Sequence, residues 1–526
     1  MAKPPAPKKK AGRKRAKKAS ATTETPDAPP GAERPLLYME QATIPRALED
    51  EERRLKWGLD GKTDQAGDYM IELNLLHRRG LEGAKERFEE LSRKIETDTR
   101  PKQVSKSYYA WKVSLSNLRR LVKLDEDTDN AKRDRSKLAI YKVWPDFPVR
   151  ATLDKSISTI KADAAVRTFS AAGQDIVWAV IDSGVDEKHV HFELFNTLHD
   201  PSVTDLHRDF TDANESAAGA LVDDFGHGTH VAGIIAGQLD ATKHRDFAVY
   251  QKTYQTDDDG NSTSQYKPRK VEQGAILSGI APRCRLVSLK VLDERGSGKT
   301  SDVIRALNYI REHINGDPKL LRIHGVNLSL GYEFDAEVFA CGQSPMCIEV
   351  DRLVNSGVVV VTAAGNTGYG KLTSAPRPTR VGLSNTINDP GNATLAITVG
   401  STHRDAPHTY GVSYFSSKGP TGDGRLKPDL VAPGERITSC AAGKYLEGNG
   451  GSVPKDIPGY IDESGTSMAA PHVSGAIAAF LSIRREFIQK PQRVKEIFMS
   501  TATCLGRERY FQGCGLVDLM RAIQSI

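Results

Sequence analysis

From about residue 150 onward, short apolar runs alternate with stretches of helical period, and this alternation constrains the fold more than any other feature of the chain. The runs at 176–181, 286–292, 325–330, 357–361 and 395–399 are apolar almost throughout. A strand reads this way when helices cover both of its faces, the condition of a buried parallel sheet. The expected fold class is α/β: a doubly wound, mostly parallel sheet with helices on both faces. Chemistry in such a fold gathers in the loops beyond the carboxyl ends of the strands.

Residues 63–150 read differently. A strand-like run at 69–76 precedes Leu81, Ala84, Phe88, Leu91 and Ile95, whose spacings of three and four put them on one helix face. A second strand is expected at 108–115, a short helix around Leu118, Leu121 and Val122, and a third strand at 138–144. This predicts a small α+β (ferredoxin-like) unit, an antiparallel sheet covered by helices. The chain thus divides into 1–62, 63–150 and 151–526.

Residues 1–20 hold nine Lys or Arg and no acid; without them the net charge of +6 becomes −3 for the remainder. Such a tail cannot bury enough apolar surface to offset its ordering entropy. It reads as a solvated segment or, through residues 3–18, as a tether to nucleic acid or another polyanion. A short charged helix is read between 44 and 59. The basic stretch is not followed by an apolar one, so it is no secretory signal as written, and a cytoplasmic location is expected. No apolar run is read as approaching the roughly 18 residues of a membrane span. Six cysteines are too sparse for a disulfide scaffold and are expected to be mostly reduced, although Cys341/Cys347 and Cys504/Cys514 are near enough in sequence to bridge.

Three motifs carry chemistry. VWAVIDSG over 177–184 ends an apolar strand on Asp182, which could orient an imidazole, ligate a metal or cap a turn. DFGHGTHVAGIIAG over 224–237 exposes His227 between two glycines, while His230 faces the core. ESGTSMAAPHVSGAIA over 463–478 places Ser467 where a turn enters a helix of small residues. The free N–H groups and dipole of a helix start favour developing negative charge there. A serine is a weak nucleophile and needs a neighbouring base. Each motif alone has a structural reading; their conjunction does not.

Together these segments resemble the subtilisin-like serine peptidases, the subtilase family, in which Asp, His and Ser follow in this order. The resemblance implies a serine endopeptidase with catalytic Asp182, His227 and Ser467. VVTAAGNTG over 360–368 resembles the oxyanion-hole segment, with Asn366 as side-chain donor. Ser329, Leu330 and Gly331 resemble one substrate-binding edge, and Gly296, Ser297 and Gly298 the opposite rim. FSSKGP at 415–420 and KPDLVAPG at 427–434 are also family-like. The family's chemistry needs no metal or organic cofactor, and calcium would be structural only. The partners implied are a protein or peptide substrate and the chain's own prodomain, with no membrane. A fold retained for binding without catalysis is the alternative, as is a polyanion-tethered regulatory protease.

The 69–149 pattern resembles the family's inhibitory propeptide, with STIKAD at 158–163 near the mature N-terminus. Self-cleavage would then fall near 149–150, with 147–149 in the substrate cleft. Departures are visible too. His191 stands where many relatives carry a calcium-binding Asp, and His189-Val-His191 reads as surface. A long charged insertion at 238–273 reads as a solvated loop; within it, 257–261 (DDDGN) lacks an acid at the first EF-hand position. Stretches 370–385 and 443–458 read as long loops near the cleft. NDPGN at 388–392 is expected to line the pocket for the residue before the scissile bond, where Asp389 could favour a basic side chain or simply hold a turn.

Overall fold

A computed structural model describes residues 64–127, 134–145, 155–212, 215–244, 246–256, 262–269, 277–317, 319–335, 340–372, 379–447 and 457–526, with a few single positions besides. The basic segment 3–18, most of the helix read between 44 and 59, the 147–150 segment and the acidic run 257–261 lie outside the described residues. The chain forms two compact units, Met1–Val149 and Arg150–Ile526.

In the first unit, β1 (Ala66–Leu73), α1 (Gly80–Arg93), β2 (Lys102–Gln103), β3 (Tyr108–Ser114), α2 (Leu115–Glu126) and β4 (Ile140–Pro145) follow in order. The sheet runs β2-β3-β1-β4, antiparallel throughout. Alternate residues turn inward, as the two-residue period of a strand requires. Tyr69, Ile71 and Leu73 of β1 and Tyr109, Trp111 and Val113 of β3 are buried with Ala84, Phe88 and Leu91 of α1 and Leu118 and Leu121 of α2. Arg87 Nε bonds Asp125 Oδ1 at 2.7 Å, and Asp125 Oδ2 accepts from the amides of Ala139 and Ile140, so one buried carboxylate joins both helices to β4.

The second unit is built on β5 (Val177–Asp182), β6 (Arg208–Asp209), β9 (Arg285–Lys290), β10 (Gly325–Leu328), β11 (Val359–Ala363), β14 (Ile397–His403) and β15 (Leu430–Glu435). Their order in the sheet is β15-β14-β11-β10-β5-β9-β6, with every pairing parallel. Trp178 and Val180 enter one core, while Val177, Ala179 and Ile181 enter the other. This two-sided burial is why the strands read as continuous apolar runs. Helices α3 (His227–Ile235) and α6 (Thr466–Ile483) cover the first face; α4 (Thr300–Asn308) and α5 (Pro345–Asn355) cover the second. After β9 the chain crosses β5 to start β10 and then winds outward the other way. That reversal opens a crevice beyond the carboxyl ends of β5 and β10.

Several expectations need correction. The insertion is not a loop over its described length: β7 (Ala248–Thr256) and β8 (Ser262–Arg269) form a hairpin. Val249 and Tyr250 are buried, and β7 pairs in parallel with β17 (Gly459–Glu463), which pairs with β16 (Ile437–Cys440), so apolar contacts and a strand edge organise a segment whose composition reads as solvated. Within 370–385, β12 (Tyr369–Leu372) and β13 (Thr379–Gly382) make another hairpin, and Gly443–Glu447 is helical. Helix α6 has 18 residues at mean hydropathy 1.2, the length and composition of a membrane span, contrary to the reading that no run approaches it; 89% of it is buried in the core. Its many Ala and Ser residues disguised that length as a small-residue motif.

His189 and His191 are buried at 7% and 2% exposure, which overturns their surface reading. His189 Nε2 meets the Gly459 carbonyl at 2.9 Å and His191 Nδ1 meets the Tyr460 hydroxyl at 3.2 Å. Burial pushes the His191 imidazole down to about 3, so it is neutral and packs as an aromatic. Calcium takes hard oxygen ligands, and an imidazole bonded to a phenol does not fit that role. Among the described residues, no group of three or more His, Cys, Asp or Glu converges as metal ligands would. All six cysteines are free thiols, so neither sequence-adjacent pair is bridged.

Candidate active site

Asp182 is the last residue of β5 and is fully buried. Its Oδ1 accepts the Ser183 amide at 2.8 Å and lies 2.8 Å from His227 Nδ1. His227 opens α3 across the crevice. This close approach depends on glycine at two positions. Gly226 has φ +97°, a left-handed conformation costly for other residues, and a Cβ there would fall 2.2 Å from the Ala442 carbonyl oxygen. A Cβ on Gly228 would meet the Gly184 carbonyl oxygen at 2.1 Å and Asp182 Cβ at 3.1 Å.

Sequence reasoning missed the group that fixes the start of α3. Asp223 is buried and takes the Gly226 amide and the Ser183 hydroxyl on Oδ1, each at 2.8 Å; Oδ2 takes the amide and hydroxyl of Thr229. Ser183 Oγ in turn accepts the Gly228 amide at 2.9 Å. An acid that satisfies orphan amides of a helix start is a capping signal. Here it lies four residues before the histidine, outside the usual capping position, which hid it. His230 is completely buried, with Nε2 at 3.2 and 3.1 Å from the carbonyls of Ile437 and Ile461. Burial holds it down at about 4, so it stays neutral.

Two forces act on the His227 imidazole. Burial is the largest single influence and disfavours its charged form, but the Asp182 carboxylate, by charge and by hydrogen bond, together with the charges of Asp223 and Glu463, outweighs it, and the net direction is upward from the ordinary value. The bond at Nδ1 leaves Nε2 to act as a base, and only the neutral ring can do so. Hydrolysis is therefore expected to rise with pH along an acid limb whose midpoint lies above the usual imidazole value of about 6.5. A kcat/KM profile checks this; a midpoint below that value contradicts it.

Ser467 is the second residue of α6. Its hydroxyl donates to the Ser329 carbonyl at 2.9 Å, while Ser329 Oγ donates to the Ser467 carbonyl at 2.8 Å. No hydrogen bond joins Ser467 to His227 in this arrangement. The structure thus bonds Asp182 to His227 and holds Ser467 beside Ser329, with rotation about one Cα–Cβ bond available to the hydroxyl. Such contacts often tighten only when substrate is bound. Asn366 follows β11. Its Oδ1 accepts the Thr466 amide at 2.9 Å and the Thr466 hydroxyl at 3.1 Å, which leaves Nδ2 as the free donor of the amide.

The rims meet around these groups. A groove of about 420 Å³ has Phe225, His227, Leu292 and Gly296–Ser297–Gly298 on its walls, with Ser329, Leu330 and Gly331 opposite. A second cavity of about 290 Å³ is shared by Ser329–Leu330–Gly331, Ala363, Asn366, Thr367, Asn388 and Ser467. Asp389 does not line it. It is fully buried, accepts the Asn392 side-chain amide at 2.8 Å and pairs its backbone with Tyr332. Asn388 faces the cavity instead, and Asp389 holds the turn and does not select for basic residues.

The profile of the subtilase family, peptidase S8, matches residues 173–516, more than half of the chain. The chain belongs to the subtilase family. Membership places it among the serine-type endopeptidases. It is 31% identical over 342 residues to pyrolysin of Pyrococcus furiosus, a match covering 57% of this chain and 21% of that protein. It is 28% identical over 365 residues to the serine protease AprX of Bacillus subtilis, covering 68% of each. It is 29% identical over 348 residues to the major intracellular serine protease of the same organism, covering 66% of this subtilase and 80% of the relative.

Proposed function

We propose that this subtilase hydrolyses peptide bonds within proteins through Ser467, His227 and Asp182 and an acyl-enzyme. The observation that carries the reading is the 2.8 Å bond between the buried Asp182 and His227 at the mouth of the peptide-sized groove. An extended substrate pairs with the Ser329–Gly331 edge as an added strand. His227 Nε2 takes the Ser467 proton as Oγ attacks the carbonyl carbon. Asp182 holds the ring tautomer and stabilises the imidazolium. The oxyanion is received by Asn366 Nδ2 and by the Ser467 amide, one of the helix-start N–H groups without an intrahelical partner. The imidazolium then protonates the leaving amine, and water repeats the sequence to release the acid. Protons and charge balance on these side chains, so no cofactor is required.

Asn366→Leu keeps the volume of the side chain and removes the donor. It is expected to lower kcat by roughly 10²–10³-fold with KM little changed, the loss that removing such a donor causes in a family relative. Steady-state kinetics on a fluorogenic peptide test it; an unchanged kcat removes Asn366 from the mechanism.

Residues 63–149 act in this reading as folding chaperone and intramolecular inhibitor, released by self-cleavage near 149–150. Intact-mass measurement of wild type beside Ser467→Ala decides it. The wild type should yield a fragment matching residues 150–526, while the variant stays at 57.5 kDa. Identical masses would leave the first unit an uncleaved accessory domain.

A further inference from the structure

Strand β17 ends on Glu463, four residues before Ser467, and that carboxylate has a side-chain exposure of only 10%. The turn that follows is pinned on one flank. Gly465 donates its amide to the Gly434 carbonyl at 2.8 Å, and the Arg436 amide donates to Ser464 Oγ at 2.9 Å. The other flank belongs to the insertion hairpin. The parallel register pairs Gly459 with Ala248 and Ile461 with Tyr250, and its continuation sets Lys252 beside Glu463. Lys252 Nζ lies 3.3 and 3.2 Å from the two Glu463 oxygens, and the Tyr266 hydroxyl of β8 donates to the same carboxylate. One residue earlier, the buried Asp462 is flanked by Arg269 of β8 and by Arg404.

We propose that Lys252 and Tyr266 of the β7–β8 hairpin are positioning residues for the nucleophile turn, with Lys252 cancelling the charge of Glu463 next to the reacting groups. The inference deepens the peptidase reading and rests on it. A nearly buried carboxylate without its cation would act on both charges that form during the reaction. It would stabilise the imidazolium, making the base harder to keep neutral, and oppose the oxyanion. The groups that face His227 are Asp182 at the end of β5, Asp223 before α3, His230 on α3 itself, Glu463 at the end of β17 and, beside them, Tyr445 of the 443–447 helix. Of the acids among them, Asp182 holds the ring by a direct bond and Asp223 is satisfied by hydroxyls and amides; Glu463 is the one paired with a lysine, and that lysine comes from the insertion. Like other partly buried ion pairs, this one leaves an uncompensated charge when one partner is removed.

The experiment compares kcat and KM across pH for the full chain, Lys252→Met, Glu463→Gln and the double variant, with Tm recorded for each. Lys252→Met should raise the midpoint of the acid limb and lower the plateau kcat, costing about threefold or more in kcat/KM at pH 6, with KM within about twofold. Glu463→Gln should move the limb downward, and the double variant should return it close to wild type. Limbs that coincide in all four proteins while Tm falls would overturn the proposal and make the hairpin a structural brace. Wild type without any hydrolysis would instead sink the peptidase reading, so the two failures are distinct.

Discussion

Ser467→Ala is expected to lower kcat by roughly 10⁶-fold, the size that losing the nucleophile has in a family relative. The side chain is half-buried at the start of α6 and its hydroxyl bonds only the Ser329 carbonyl, so the change removes few contacts and the protein should stay folded. Substrate binding along the 329–331 edge should persist, with KM or an inhibition constant little altered. Residual hydrolysis above the uncatalysed rate would come from the oxyanion donors and the groove alone. A kcat within tenfold of wild type would assign the nucleophile elsewhere.

Asp182→Asn should cost about 10⁴-fold in kcat near neutral pH, with geometry preserved. The buried carboxylate accepts the proton on His227 Nδ1; an amide in its place can present its own N–H and turn the ring to the wrong tautomer. The same change removes the largest of the charges that oppose burial, so the acid limb should move down in pH as kcat falls. The paired shift separates this from simple unfolding, which would reduce activity at every pH alike. An unmoved limb would mean that another group sets the basicity of the ring.

The parts of this protein legible from its sequence are those in which one contiguous segment carries its own constraint. Strands β5, β10 and β11 announced themselves because every position in them is buried, leaving few polar residues to interrupt the apolar run. Asp182, His227, Asn366 and Ser467 each sit in a short motif at the end of such a strand or the start of a helix. What pairs across the fold was not legible. Asp223 gains its meaning from Ser183, forty residues away in sequence, and from amides that only the folded turn presents. His189 and His191 look like surface residues until Tyr460 and Gly459 close over them. The hairpin was hidden because Lys252 and Arg269 read as solvated charge, whereas each meets an acid of β17. Of the two readings of Asp389, the turn-holding one stands: its partners, Asn392 and Tyr332, turn it away from the cavity that its neighbour Asn388 lines.

The central claim is that the His227–Asp182 pair makes the Ser467 hydroxyl a nucleophile, and covalent labelling by a fluorophosphonate tests it most directly. Peptide mapping by mass spectrometry should find the adduct on Ser467. Its rate of formation should fall as pH drops through the elevated imidazole range and collapse in His227→Ala. An adduct on another residue, or a labelling rate at Ser467 that ignores both pH and the loss of His227, would contradict the account.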